Sequence, residues 1–395
     1  MRLEEILDIA KKSKFYSKRI GKKFQEIPLL KKEDIIENPL PKSSAMLTKP
    51  LRKAYIYSSG GTTRKPAYTI YSFEEFDRST EVLTEMLSPL IDSSDVIANL
   101  HIPGNLWTAY YAFCNALERL DCLLLPIGGG VSFDSIADTL ESFGGNTLIG
   151  VPSFLVAFSN YLEQNQIKLE IKKILYGGEF LSVNSAEMLK RVTGAKEIYS
   201  ALYGIVESGP IASQCKKCEG TSHHIAQDYH YVEILDENLK PIEEKGKVGR
   251  VVITNLDRTL MPIIRFDTGD FGEWSDCCGG FELRGRASTH IQIGCCHLTT
   301  DELESVVFSF CRPVAIQTVL TQTSSKDCIL VQIESLGEVN EKLLKERITD
   351  EFKDMKASID KKILSLRIKQ VPIGTLKRDR KTGKIKKLVD ERRIA

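Results

Sequence analysis

Between about residues 73 and 200, apolar runs of strand length alternate with segments of helical spacing. This alternation restricts the fold more than any other feature of the chain. "SFEEFDRSTEVLTEML" has helical spacing, "VIANLHI" (96–102) reads as a strand, and "NLWTAYYAFCNALERL" as a helix with an aromatic face. "CLLLP" (122–126) reads as a buried strand. Helix "SIADTLESF", strand "TLIGV", helix "SFLVAFSNYL", strand "KILY", helix "SAEMLKRV" and strand "EIYS" (197–200) follow in order. Such a succession predicts a parallel α/β sheet with helices on its faces.

The pattern changes after about residue 210. "YHYVEILD", "VGRVVITNL" and "PIIRFDTGD" are strand-like runs separated by turn residues, which predicts a small antiparallel or barrel-like section over about 211–287. From 288 onward a third pattern runs strand (291–298), helix (301–310), strand (314–320), strand (328–334), helix (339–354), strand (363–371). At 395 residues the chain is too long for one compact core. The expected division is a large N-terminal domain, 1–287, and a small α+β domain, 288–395.

A formal net charge of +1 gives no whole-molecule field directed at nucleic acid or membrane. Charge is uneven locally: the last 20 residues, Leu376 to Ala395, hold nine Lys or Arg against three acids. The opening "MRLEEILDIAKKSKFYSKRI" reads as a charged helix, neither a signal peptide nor a span. No later run reaches the ~20 apolar residues a membrane helix needs. Ten cysteines without a secretory signal read as reduced thiols, and the expected location is cytoplasmic.

"YSSGGTTRKP" (57–66) combines glycines, hydroxyls and two cations, the composition of a phosphate-binding loop. It lacks the Gly-Lys-Ser/Thr ending of a Walker loop and the spaced glycines of a dinucleotide fingerprint. "ILYGGEFLS" (174–182), "ALYGIVESGP" (201–210), "RFDTGDFG" (265–272), "RGRASTHIQIG" (284–294) and "GTLKRDRKTGKIKK" (374–387) follow it in that order. Together these stretches resemble the ordered core motifs of the adenylate-forming superfamily of acyl-CoA synthetases, adenylation domains and luciferases. The branch they look most like is the phenylacetate-CoA ligase group, over roughly residues 55–390. "NLWTAYYAF…ALERL…LPIGGG" (105–130) further resembles short enzymes of secondary metabolism that activate aryl acids in phenazine-type antibiotic pathways.

The resemblance implies an ATP- and Mg²⁺-dependent acid–thiol ligase, which forms an acyl-adenylate and passes the acyl group to CoA or the phosphopantetheine arm of a carrier protein. Ser59, Gly60, Gly61, Thr62, Thr63 and Lys65 would cradle the leaving phosphates. Arg64 stands where the family usually has Gly. Glu207 would hold Mg²⁺, and Tyr203 beside Gly204 would stack on adenine. Gly177, Gly178 and Glu179 would border the nucleotide and acyl pocket. Asp270 would accept the ribose hydroxyls, and Arg286 would contact the ribose or phosphate side. Ser288, where the family usually has Asp, would be the hinge of a mobile C-terminal domain delivering Lys384 to the α-phosphate. Trp107 and Tyr110, on the helix after "HIPGN", would favour a flat aromatic acid if they line the pocket.

"CKKC" places Cys215 and Cys218 before His223 and His224, with Cys277 and Cys278 about sixty residues on. A C-x2-C pair, a His and a distant Cys suit a structural Zn²⁺. Cys215, Cys218, His224 and Cys278 are the expected set, reduced loop thiols the alternative. Cys295 and Cys296 read as packing residues. The resemblance also implies a homodimer, since relatives are often dimers. Two rival readings remain: an acyl-protein synthetase, and a catalytically silent ligase fold whose basic tail binds a partner or nucleic acid.

Overall fold

The computed structural model describes residues 2–21, 23–59, 67–104, 106–179, 181, 183–218, 220–286, 290–293, 296–322, 327–360, 364–378 and 385–391. The chain divides into two compact units: Met1–Phe180 with Met188–Arg284, and Leu181–Glu187 with Gly285–Ala395.

The first unit opens with α1 (Leu3–Ala10) and α2 (Lys32–Glu37) and then a hairpin of β1 (Ala54–Ser59) and β2 (Ala67–Ser72). The alternating region supplies α3 (Phe73–Leu87), β3 (Val96–Asn99), α4 (Ala109–Leu117), β4 (Leu123–Leu125), α5 (Phe133–Phe143), β5 (Thr147–Gly150), α6 (Pro152–Gln164), β6 (Lys173–Gly177), α7 (Val183–Thr193) and β7 (Glu197–Ile205). Strands β8 (Gly209–Ser213), β9 (Ser222–Ile225), β10 (His230–Leu235), β11 (Gly249–Asn255), β12 (Phe266–Trp274) and β13 (Gly280–Arg286) follow.

Helix starts follow local chemistry. Ser72 caps α3 by accepting from the Glu75 N–H while Glu75 returns to the Ser72 N–H, and Ser132 caps α5. The aromatic helix is shorter than its spacing suggests. Gly104 (φ 88°) and Leu106 (φ 60°) are left-handed, so the helix begins only at Ala109 and Trp107 lies in the preceding turn.

The parallel and antiparallel regions are not separate. One eleven-stranded sheet runs β10-β11-β12-β13-β9-β8-β7-β6-β5-β3-β4. β3 to β7 pair in parallel, and β7 then pairs antiparallel with β8, which carries the ladder into the second half. The predicted β-rich section is therefore the antiparallel wing of the same sheet, not a barrel. Alternation could not reveal this, because it reports which face is buried and not which strand is the neighbour. α1 buries Ile6 and Ala10 in a core with Tyr16, Leu30, Ile253 and Phe266, so its charges decorate only its outer side. Leu30 bridges Phe266, tying the N-terminal segment to β12.

The second unit contains the hairpin β14 (His290–Ile293) and β15 (Cys296–Thr299), α8 (Thr300–Phe310), β16 (Pro313–Gln322), β17 (Asp327–Ser335), α9 (Glu341–Glu351), α10 (Lys353–Asp360), β18 (Leu364–Val371) and β19 (Leu388–Asp390). The run 291–298 folds back on itself, pairing Ile291 with Leu298, so it is a hairpin and not one strand. Cys295 and the Cys296 side chain lie outside the described residues. The expected helix 339–354 breaks at Phe352, whose ψ of 83° leaves the helical region. The four-stranded sheet is ordered β18-β17-β16-β19, and the basic segment supplies β19, parallel to β16.

Candidate functional site

Two of the first unit's motifs meet along β7. "RFDTGD" forms a bulge on β12. Arg250 of β11 faces Phe271 and Val252 faces Asp267, so Val251 alone opposes Thr268, Gly269 and Asp270. The Thr268 hydroxyl donates to the Val251 carbonyl (2.9 Å) and accepts from the Asp270 N–H (3.0 Å), which closes the gap in the ladder. Gly269 sits at φ 73°, a conformation that would strain a residue with a Cβ. The bulge aims Asp270 at β7, where the Tyr203 hydroxyl donates to its Oδ2 at 2.8 Å. The two groups expected at adenine and ribose are thus adjacent, although 67 positions apart in sequence.

Glu207 occupies the turn between β7 and β8. It is buried, and among the described residues its carboxylate has neither a hydrogen-bond nor an ion-pair partner. A carboxylate held in that state suits a hard cation with phosphate oxygens. Gly204 admits no side chain, since a Cβ there would lie 2.8 Å from the Gly209 carbonyl oxygen. Gly177 ends β6 against Leu202 of β7, and Gly178 follows at φ 78°, so backbone alone leads to Glu179. Tyr110 donates to the Pro126 carbonyl at 2.7 Å, and Trp107 is half-buried.

Hairpin β1–β2 closes at the Ser59–Ala67 pair, immediately flanking the loop motif. Gly60, Gly61, Thr62, Thr63, Arg64 and Lys65, and the Ser59 side chain, lie outside the described residues. So do Ser288, Lys384 and the Arg286 side chain. Arg286 itself ends β13.

The cysteine set assembles. Cys215 and Cys218 lie in the β8–β9 turn, His224 on β9 and Cys278 in the β12–β13 turn; pairing of His224 with Gly280 brings the two turns together. Their donor atoms all lie within 4.8 Å of one another. The Sγ–Sγ distances are 3.7 Å (215–218), 3.6 Å (218–278) and 3.9 Å (215–278). His224 Nε2 is 3.2 Å from Cys215 and 3.6 Å from Cys278. A tetrahedron with Zn–S bonds near 2.3 Å has edges of about 3.8 Å, close to the three Sγ–Sγ distances, so the thiolate triangle fits Zn²⁺. Burial disfavours the Cys215 thiolate, yet the Lys217 N–H, His224 and the neighbouring thiols bring its pKa down to about 7. His223 is committed elsewhere, to the Thr221 carbonyl (2.7 Å) and Ser200 (2.9 Å). Exposed Cys277 lies outside the cluster.

In the second unit three described residues of the basic segment form ion pairs. Lys387 reaches Asp301 (2.7 Å) and Glu304 (2.8 Å), Arg378 reaches Glu334 (3.5 Å), and Lys377 pairs with Glu391. A cleft of about 840 Å³ opens elsewhere on the first unit, lined by Lys49, Arg78, Asp228 and Asp257, and includes none of the candidate residues.

No protein-family model matches the chain. It is 23% identical over 222 residues to phenylacetate-coenzyme A ligase of Aromatoleum evansii, covering 55% of this chain and half of that enzyme. It is 22% identical over 366 residues to phenylacetate-coenzyme A ligase of Thermus thermophilus, covering 86% and 81% of the two chains. Its fold matches 2-hydroxyisobutyryl-CoA ligase, solved in the postadenylation state with 2-HIB-AMP, at a TM-score of 0.79. That match has 16% identity and spans 98% of this chain and 88% of the other. Fold and ordered motifs together resemble those of the adenylate-forming superfamily. Within it, the curated relatives described are phenylacetate-CoA ligases.

Sequence reasoning missed Arg258, Tyr71 and Asn255, which lie behind the Glu207 turn. Only an arginine inside the apolar run "TNLDRTLMPII" hinted at a buried cation.

Proposed function

We propose that the protein is an ATP-dependent ligase that activates an aryl carboxylic acid as its adenylate and transfers the acyl group to the thiol of CoA. The observation that carries this reading is the Tyr203–Asp270 hydrogen bond between β7 and β12, with Glu207 buried in the turn that follows β7. A substrate carboxylate oxygen attacks the α-phosphorus of ATP, the bond to the β-phosphate bridging oxygen breaks, and pyrophosphate leaves. The thiolate then attacks the acyl carbonyl and AMP departs with the electron pair.

Asp270 would accept the ribose hydroxyls with its remaining lone pairs while Tyr203 orients it. Glu207 would hold Mg²⁺, which supplies charge neutralisation at the phosphates. The loop 59–65 would take the leaving phosphates, and Lys384 would neutralise charge at the α-phosphate. Capture of Lys387 by Asp301 and Glu304 argues against a registry in which Lys387 is the reacting lysine. Trp107, Tyr110 and Gly177 would border the acid. The test is acid-dependent ATP–pyrophosphate exchange without CoA over benzoic, anthranilic, phenylacetic and medium-chain acids. Exchange with one aromatic class supports the reading; absence of both exchange and ATP binding refutes it.

We also assign a structural Zn²⁺ to Cys215, Cys218, His224 and Cys278. The tetrahedral edge lengths support it.

A further inference from the structure

The turn that carries Glu207 is held from behind by three buried side chains, one for each consecutive carbonyl. The Tyr71 hydroxyl donates to the Val206 carbonyl at 2.9 Å, Arg258 Nη1 to the Glu207 carbonyl at 2.5 Å, and Asn255 Nδ2 to the Ser208 carbonyl at 2.8 Å. Arg258 does more than the others. Its Nη2 donates to the Ile70 carbonyl and to the Thr69 hydroxyl (3.1 Å), both on β2. Its guanidinium carbon lies 3.5 Å from the Tyr71 ring centroid, and its Nε is 3.7 Å from Glu75. The side chain is fully buried. Glu75 is itself fixed by the Thr259 and Leu260 N–H groups, both at 2.6 Å, so the balancing charge cannot swing away.

We propose that Arg258 is a positioning residue whose guanidinium fixes the Glu207 turn to β2, the strand returning from the loop motif. The inference rests on the reading of Glu207 as the residue that meets metal-bound ATP. The guanidinium is the group for this task, because its planar fork serves several acceptors in fixed directions and keeps its charge when buried. An ammonium at the same place has one nitrogen and cannot span Glu207, Thr69 and Ile70 together.

The test uses the full chain, with Mn²⁺ as the paramagnetic probe for the metal. Water-proton relaxation measures Mn²⁺·ATP affinity, and ATP affinity is measured separately in EDTA. Arg258→Lys is expected to weaken Mn²⁺·ATP binding about tenfold, with metal-free ATP affinity unchanged. Tyr71→Phe, which removes only the Val206 contact, is expected to weaken it about threefold and carries the test if the lysine variant does not fold. Wild-type affinity in the folded variants overturns the proposal and leaves the functional reading intact, as does an equal loss with and without metal. Failure of the wild type to bind Mn²⁺·ATP overturns the reading of Glu207, and the proposal with it.

Discussion

Gly279→Ala is the sharpest perturbation of the cysteine site. A Cβ at Gly279 would lie 2.2 Å from the His223 carbonyl oxygen and 2.9 Å from its nitrogen, where no such contact falls below 3.0 Å. The β12–β13 turn must therefore withdraw from β9 by about 0.8 Å, with backbone on both sides and no side chain to give way. Cys278 and His224 are the immediate chain neighbours of those two positions, so the displacement separates two donors directly. Metal distances tolerate about 0.2 Å. Overpacking of this kind costs about 1–3 kcal/mol, which corresponds to a loss of zinc affinity of roughly five- to 150-fold. Zinc content after dialysis, and competition against a chromophoric chelator, would read this out. Gly280→Ala is the control. Its φ of 67° is unfavourable for alanine, but nothing lies within 4 Å of the added Cβ. It should cost about 1 kcal/mol of stability and leave zinc affinity near wild type. Equal zinc affinity in Gly279→Ala and wild type would refute both the close approach and the assignment of the donor set.

Asp270→Ala should abolish acid-dependent exchange, whereas Tyr203→Phe should raise the KM for ATP about fivefold with kcat retained, since it removes one hydrogen bond. Lys384→Ala should abolish exchange while leaving the thermal midpoint unchanged. Lys387→Ala should do the reverse, lowering stability by about 1–2 kcal/mol after discounting for the side chain's partial exposure. Burial lowers the pKa of His230 to about 3, below its unfolded value, so the unfolded chain binds the extra proton first. Stability from this group is present above about pH 6.5 and falls as the pH drops toward 3, by about 2 kcal/mol at pH 5. Urea unfolding of wild type and His230→Gln at pH 7.5 and 5 would show it, the variant losing that part of the pH dependence.

Much of the site was legible because its residue types answer local demands. Gly269 and Gly178 stand at left-handed backbone positions, and Cys215 and Cys218 share one turn. The residues that hold the Glu207 turn were not legible. Tyr71, Asn255 and Arg258 belong to no motif, and each acts on a carbonyl far away in the sequence. The helical spacing through Trp107 was overruled by two left-handed residues that periodicity does not register.

The amino-acid order alone determined the strand–helix alternation, a motif succession resembling that of the adenylate-forming superfamily, and the C-x2-C pair with its following histidine as metal-ligand candidates. Each of these is carried by spacing along one chain. Tertiary structure decided that the two sheet regions are one ladder and that Asp270 meets Tyr203. It also decided that Cys278, not Cys277, faces the other donors, and that one buried arginine ties the Glu207 turn to β2. The reason is physical: spacing sets which way a side chain points from its own strand, whereas strand pairing and burial select the neighbour it meets.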